Sequence, residues 1–180
     1  MKLAALSTSI LIVLFVVPFA GGREVFRDGA SYSGFVKTAG TAAEPESFGK
    51  AADLVLSAMK SRAAKLGVTG VAVVAYFEGE DSQAWQSKMI VAGKRKDLPT
   101  AKDPGANLLA IAYAKAAEAA DSLKPSGSAG RPLMVGETGW AGSDIRKADK
   151  GYWIAAFSGG KSEDDVDISN HGLDSLSKGE

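Results

Sequence analysis

The 180-residue chain contains no cysteine and a single histidine, His171. The absence of cysteine excludes disulfides, thiolate catalysis, cysteine-ligated zinc and iron–sulfur clusters. A lone histidine excludes any metal site that needs two histidines from one chain. It also excludes a catalytic triad together with a second functional histidine. The chain also lacks an Asn-x-Ser/Thr acceptor, so N-glycosylation is not expected.

The chain also lacks an excess of positive or negative charge. The sequence has 21 basic and 21 acidic residues, for a formal net charge of zero. Its longest basic cluster, Lys94-Arg95-Lys96, is too short to form a nucleic-acid footprint. We interpret it as a solvated loop, and we expect no nucleic-acid partner.

The front of the chain carries the pattern of a secretory signal peptide. Met1-Lys2 precedes an apolar run from Leu3 to Ala20, and small residues follow it. We predict a signal peptide over residues 1–22 and a secreted or periplasmic location, with no stable membrane span after cleavage. The rival interpretation is a retained N-terminal anchor. The run is near the lower length limit for a span, and Ser7, Thr8 and Ser9 interrupt it.

Behind this leader we expect an N-terminal arm over residues 23–46 and one domain over residues 47–180. The arm is rich in glycine, alanine and threonine, and it holds either one short strand near Ser33–Lys37 or no regular structure. Gly67 is predicted to close the first helix. Hydrophobic periodicity predicts three helices, over about 45–66, 107–123 and 163–176. It predicts strands over 68–77, 84–92, 133–135 and 152–157, the first two as a hairpin. This order favours an α+β sheet over a doubly wound one.

A glycine pair at Gly159 and Gly160, followed by Lys161 and Ser162, invites comparison with a phosphate-binding loop. That loop needs a further glycine where this chain has Ala155, so the pattern fails. We interpret Ser162 as a helix cap and Asp165 as its reciprocal partner. A smaller anion, such as a carboxylate, is then expected to bind at Lys161 and the neighbouring backbone amides.

Three further residues are candidates for chemistry, each with an alternative. Glu137 lies in a glycine-rich turn near Trp140, where a raised pKa suits an acid or base; alternatively it is a hydrogen-bonded turn residue. Lys115 interrupts an alanine-rich helical face, and it either reaches solvent or lines a pocket as a cation. His171 is either an axial haem ligand or an ordinary packed or surface histidine.

Several segments together resemble a known family. They are the Val71-Ala72-Val73-Val74 strand, Ala112-Tyr113-Ala114-Lys115-Ala116 in the second helix, and Phe157-Ser158-Gly159-Gly160 with Asp165 and Gly172-Leu173. From about Phe48 to Leu176 the chain resembles the haem-degrading HbpS-like, or GlcG-like, family, which includes the C-terminal domain of PduO proteins. The family usually has an Asp after the Val-rich run; here Ala75-Tyr76-Phe77-Glu78-Gly79 displaces that acid.

The resemblance implies a profilin-like fold, with a five-stranded antiparallel sheet, helices on both faces, and assembly into homo-oligomers. It also implies haem binding, and for some members haem breakdown. On that basis we expect an exported haem-binding protein with haem-degrading activity. The expected site residues are Lys115 and Lys161 for the propionates, Gly159, Gly160 and Trp140 as ligand-binding residues, His171 for the iron, and Glu137 in a polar or catalytic role.

Two other functions stay open at this point. One is a non-catalytic module that binds a small organic ligand or a partner protein, as a sensor accessory does. The other is an enzyme that acts on a small carboxylate metabolite, with Glu137 as acid or base. A fold resemblance does not separate these alternatives, because function depends on the site.

Overall fold

The computed structural model describes residues 45–178. The predicted signal peptide over 1–22 and the short strand near 33–37 lie outside the described residues, as does nearly all of the 23–46 arm. The described elements are α1 (Pro45–Leu66), β1 (Gly70–Glu78), β2 (Trp85–Ala92), α2 (Leu108–Ser122), β3 (Ser143–Lys147), β4 (Gly151–Ser158) and α3 (Ser162–Asp174), followed by a 3-10 turn at Leu176–Lys178. None of these helices is long and apolar enough to cross a membrane.

The strands form one antiparallel sheet in the order β2-β1-β4-β3. β1 lies near its centre, so that Val73 is opposite Met89 on one side and Ala156 on the other. This arrangement confirms an α+β fold with an antiparallel sheet and the predicted β1–β2 hairpin. The described part of the chain supplies four strands, where the resemblance implied five.

Two segments between α2 and β4 differ from the sequence prediction. Leu133–Val135, predicted as a strand, belongs to a turn, and Val135 is fully exposed. Ser143–Lys147, predicted as a polar turn, is instead the edge strand β3, and it pairs with β4 alone. An edge strand tolerates charged side chains such as those of Asp144 and Arg146, because only one flank pairs and one face packs against the core. The apolar run Leu133–Val135 therefore suggested a strand that does not form, and the polar run Ser143–Lys147 concealed a strand that does.

Alternation along the two central strands divides the core into two layers. Ala72 and Val74 of β1 face one side with Ala155 and Phe157 of β4. On that side the buried residues of α1 and α3 cover the sheet: Phe48, Ala52, Val55, Leu56, Met59, Ala63, Ile168 and Leu173. The intervening strand residues face the alanine-rich side of α2, with buried Leu108, Ala112, Ala116, Ala119 and Ala120. Helices therefore cover both faces, as expected, because β1 and β4 are apolar on both sides.

A close contact between α1 and α3 generates the first prediction. A Cβ on Gly172 of α3 would lie 2.5 Å from Met59 Cγ and 3.2 Å from Val55 Cγ1, and both side chains are fully buried. Glycine-to-alanine changes inside helices normally stabilise by about 0.5–1 kcal/mol. We expect Gly172→Ala to destabilise by about 1–3 kcal/mol instead, because the two helices must separate.

Gly49 of α1 is the matched control, because nothing lies within 4 Å of the Cβ it would gain. Gly49→Ala is expected to stabilise by about 0.5–1 kcal/mol. Urea denaturation of the two variants measures both changes. Equal effects of the two substitutions would contradict the described packing.

Candidate functional site

A cleft of about 400 Å3 lies where the beginnings of α2 and α3 meet the end of β4. Its lining residues come from the 97–106 loop, α2, the loop before β3, and the β4–α3 turn: Asp97, Ala106, Leu108, Ile111, Lys115, Trp140, Ser158, Gly159, Gly160, Lys161, Ser162 and Asp165. Five residues predicted from the sequence are therefore brought together: Lys115, Trp140, Gly159, Gly160 and Lys161. The two others, Glu137 and His171, are not in the lining.

A buried ion pair closes the bottom of this cleft. Lys115 Nζ of α2 donates to Asp165 Oδ2 of α3 at 2.7 Å and to the Phe157 carbonyl of β4 at 3.0 Å. The two side chains are only 3 % and 4 % exposed. Burial raises the pKa of Asp165, against the lowering effects of Lys115 and of backbone amides. The predicted cation at position 115 lines the cleft, but its charge is neutralised by Asp165.

Asp165 also changes the interpretation of the glycine turn. Its Oδ1 accepts the Gly160 N–H at 2.9 Å. The cap position is Lys161, with no side-chain capping bond, so the prediction that Ser162 caps α3 is wrong. The Gly160 amide, which was expected to help bind an external anion, therefore holds a carboxylate of the chain itself. The turn is satisfied internally because Asp165 reaches back from the first turn of the helix.

Because Gly142 has no side chain, the Lys115–Asp165 ion pair can pack directly against its backbone. A Cβ at this position would lie 2.3 Å from Lys115 Nζ and 2.9 Å from Asp165 Cβ. The Gly142 carbonyl accepts hydrogen bonds from the Phe157 N–H at 2.8 Å and from Ser169 Oγ at 2.9 Å. The backbone at Gly142 thus ties β4 and α3 together directly beside the ion pair.

Lys161 supplies the free positive charge of the cleft. It is exposed, and it makes no ion pair with any of the residues the structure describes. Leu108 and Ile111 give the cleft an apolar wall, and Trp140 contributes a ring that is 56 % exposed. An exposed cation next to an apolar wall suits a ligand with an acid group on an apolar body.

Buried polar groups on α2 position the loop that carries Trp140. Glu118 is fully buried, and its carboxylate accepts the Gly127 N–H at 2.7 Å and the Gly139 N–H at 3.2 Å. Ser126 and Ser143 bond reciprocally, each hydroxyl accepting the other residue's backbone N–H. Sequence reasoning missed this anchor. The available signal was the spacing of Lys115 and Glu118, two charged residues three positions apart on an alanine-rich helical face.

Glu137 lies in a turn away from the cleft lining. Its carboxylate accepts two hydrogen bonds from Arg131, at 2.6 and 2.8 Å, and the Met134 N–H at 2.7 Å. Arg131 also pairs with Asp121 of α2. The Arg131 hydrogen bonds lower the pKa of Glu137 to about 2. This is opposite to the raised pKa expected of an acid at neutral pH, and it favours the alternative of a hydrogen-bonded turn residue.

His171 lies near the end of α3 and is partly buried. The part of the chain that the structure describes contains no group of three or more His, Asp or Glu residues placed to hold a metal ion. Ligation of haem iron by His171 stays a prediction.

A larger cavity of about 550 Å3 lies towards the opposite end of β1 and β4, beside Phe48, Tyr76 and Trp153. The aromatic rings in its lining pack mainly against one another. The Phe48 and Trp153 rings stack 5.6 Å apart, and Tyr76 lies 5.1 Å from Trp153. Asp149 and Lys150 contribute opposite charges to the lining. The cleft at Lys161 is therefore the better candidate site, because its lining has an unpaired positive charge beside an apolar wall.

No protein-family model matches the chain, and no curated protein matches it. Solved structures similar to it include the following two. One is the crystal structure of a PduOC:heme complex, with 16 % identity, a TM-score of 0.47, and coverage of 70 % of this chain and 91 % of that chain. The other is Klebsiella pneumoniae protein ORFY of family DUF336, with 17 % identity, a TM-score of 0.44, and coverage of 71 % and 88 %. PduO proteins, to which the first of these belongs, are among those that the sequence resembles.

Substitution at Gly142 tests the packing of the buried ion pair. Gly142→Ala is expected to destabilise by about 2–4 kcal/mol, because it combines a backbone φ of +147° with a methyl group placed on Lys115 Nζ. Gly136 is the matched control, since it also has a positive φ, +100°, with nothing within 4 Å of an added Cβ. Gly136→Ala is expected to cost only about 1–2 kcal/mol. Thermal unfolding of both variants measures the difference, and a smaller effect at Gly142 would contradict the geometry.

Glu137 gives a prediction about pH. Because its pKa in the folded protein is lowered from 4.5 to about 2, its ionised form stabilises the fold fully above pH 4.5, and this contribution is lost as the pH falls towards 2. Carbon-13 NMR of the side-chain carboxyl is expected to show a titration midpoint near 2. Arg131→Gln is expected to move that midpoint up towards 4.5. A midpoint above 4.5 in the unmodified protein would restore Glu137 as a candidate acid.

Proposed function

We propose that the protein binds a small organic acid with a flat apolar body in the cleft at Lys161. The observation that carries the proposal is the position of an exposed, unpaired Lys161 beside the Leu108–Ile111 wall and the Trp140 ring. A carboxylate of the ligand pairs with Lys161, and its apolar body lies against Trp140.

The buried charges at the bottom of the cleft support an anionic ligand of this kind. The Lys115–Asp165 pair is neutral as a unit, and the Asp165 carboxylate is turned towards Lys115 and the Gly160 amide. Asp97 is paired with Lys94 at 2.6 Å. Because both acidic lining residues are compensated, the charge of Lys161 is left to set the polarity of the cleft.

The dimensions of the cleft also support a small ligand. A volume of about 400 Å3 lies within the range of about 300–1,000 Å3 that is usual for small-molecule sites. Trp140 sits on a loop that Glu118 and the Ser126–Ser143 pair hold in place, so the backbone that carries the ring is ordered before a ligand arrives.

Haem belongs to this ligand class, since it is flat and apolar and carries two propionates. The fit of a ligated haem is poor, however. The cleft lining contains no histidine, tyrosine or methionine to ligate the iron, and the chain has no cysteine. We therefore propose haem as a candidate ligand held by its ring face and a propionate, and we derive no haem breakdown from this cleft.

The wider setting follows from the sequence alone. The N-terminal pattern supports export to a secreted or periplasmic location. The family resemblance supports a profilin-like domain with a fifth strand, assembled as a homo-oligomer. A non-catalytic binding module fits the cleft better than an acid–base enzyme, because Glu137 is paired with Arg131 outside the lining.

Naphthalene-2-carboxylate is a suitable probe, with naphthalene-2-carboxamide as its neutral counterpart. We expect the acid to bind more tightly than the amide, and Lys161→Ala to reduce the affinity for the acid about fivefold, the upper range for an exposed ion pair. Titration followed by NMR shift changes measures both affinities, including weak ones.

Lys60→Ala is the charge-matched control, because Lys60 is exposed on α1 and makes no ion pair with a described residue. It is expected to leave binding unchanged. Hemin titration in the same variants extends the test: naphthalene-2-carboxylate is expected to displace hemin, and His171→Ala is expected to leave its Soret band unchanged. Equal affinities for acid and amide would contradict the proposal, as would a Soret shift that depends on His171 alone.

A further inference from the structure

A second cavity of about 330 Å3 adjoins the cleft. It lies in the loop between β2 and α2 and is lined by Arg95, Lys96, Asp97, Pro104, Gly105, Ala106 and Asn107. Asp97 and Ala106 line both cavities. These two residues therefore form a border that the cavities share, with Lys161 in one lining and the Arg95–Lys96 pair in the other.

That border is a fixed part of the structure. Asp97 and Ala106 form an isolated antiparallel bridge, in which each backbone N–H donates to the other residue's carbonyl, at 2.8 and 3.2 Å. Gly105 turns the chain there with a φ of +74°, and a Cβ would lie 2.5 Å from the Asp97 carbonyl oxygen. Only glycine fits this turn without displacing the bridge.

The rest of the loop is ordered by its own hydrogen bonds. Thr100 Oγ1 accepts the backbone N–H groups of Lys102 and Asp103, at 3.3 and 3.1 Å. Asp103 Oδ1 accepts the Gly105 N–H at 2.7 Å. The loop therefore presents Arg95 and Lys96 from a defined backbone.

The linings of the two cavities together carry an excess of positive charge. Asp97 is compensated by Lys94, and Asp165 by Lys115. Arg95, Lys96 and Lys161 are all exposed, and none of them makes an ion pair with a described residue. One positive site, Lys161, thus lies in the cleft with Leu108 and Ile111, and a second, Arg95 with Lys96, lies in the adjoining cavity. From the sequence, Arg95 and Lys96 are expected to lie in an ordinary solvated loop.

We infer that the ligand of this site is a diacid, with one acid group at Lys161 and the other at Arg95 and Lys96. The inference rests on the proposed function and narrows it to a ligand class. The apolar body of the diacid spans the shared border, and the two acid groups lie at its opposite ends. Arg95 offers a planar guanidinium that pairs with a carboxylate through two hydrogen bonds, and Lys96 adds a second positive charge.

Naphthalene-2,6-dicarboxylate and naphthalene-2-carboxylate test the inference, since they share one ring system and differ by one acid group. At low ionic strength we expect the full-length protein to bind the diacid about fivefold more tightly than the monoacid, the gain of one further exposed ion pair. The double variant Arg95→Gln/Lys96→Gln is expected to remove this preference, because it weakens binding of the diacid more than binding of the monoacid. Lys161→Ala is expected to weaken binding of both probes.

Lys60→Gln/Lys65→Gln removes the same amount of charge from α1, and it is expected to keep the preference for the diacid. Equal affinities for the two probes in the unmodified protein would overturn the inference and leave the proposed function standing. A preference that survives Arg95→Gln/Lys96→Gln would also overturn it. Failure of both probes to bind would overturn the proposed function, and the inference with it.

Discussion

The ion pair between Lys115 and Asp165 joins three elements of the structure at one point. Lys115 comes from α2, Asp165 from α3, and the Phe157 carbonyl that shares the ammonium comes from β4. α2 and α3 lie on opposite faces of the sheet, so the pair connects the two core layers around the end of β4. Two charges buried in this way are costly to desolvate, and they persist because hydrogen bonds satisfy both groups.

The same pair determines what the cleft offers to a ligand. Asp165 occupies the amide of Gly160, and Lys115 is neutralised, so the bottom of the cleft is polar but closed. Recognition is left to groups at the rim, where Lys161 is unpaired and Trp140 is exposed. The buried charges of Lys115 and Asp165 therefore stabilise the fold, whereas the exposed charge of Lys161 is available to bind a ligand.

Much of the architecture was predictable from hydrophobic periodicity. β1 was clear because Val71, Val73 and Val74 form part of a long apolar run that both core layers bury. The α1 and α2 boundaries followed from periodicity, and in the structure the Asn107 side chain caps α2 by accepting the Ala110 N–H. β3 was missed because an edge strand with Asp144 and Arg146 looks like a turn. Leu133–Val135 was misassigned because three apolar residues give no information on burial.

The site was predictable only in part, because its pairings are long-range. Lys115 and Asp165 are 50 positions apart, and no local pattern identifies them as partners. Asp165 was predicted as the reciprocal capping partner of Ser162, whereas in the structure it accepts the Gly160 N–H and pairs with Lys115. The convergence of Trp140 and Lys161 on one cleft depends on the buried Glu118, which holds the intervening loop. A linear pattern does not reveal which distant backbone amide a buried carboxylate will accept.

Mapping the binding of naphthalene-2-carboxylate onto the backbone by NMR distinguishes the cleft at Lys161 from the larger cavity. We expect the largest shifts on the amides of Leu108, Gly160 and Lys161 and on the indole N–H of Trp140. Shifts centred instead on Phe48, Tyr76 and Trp153, around the larger cavity at the opposite end of β1 and β4, would show that the ligand does not bind at Lys161.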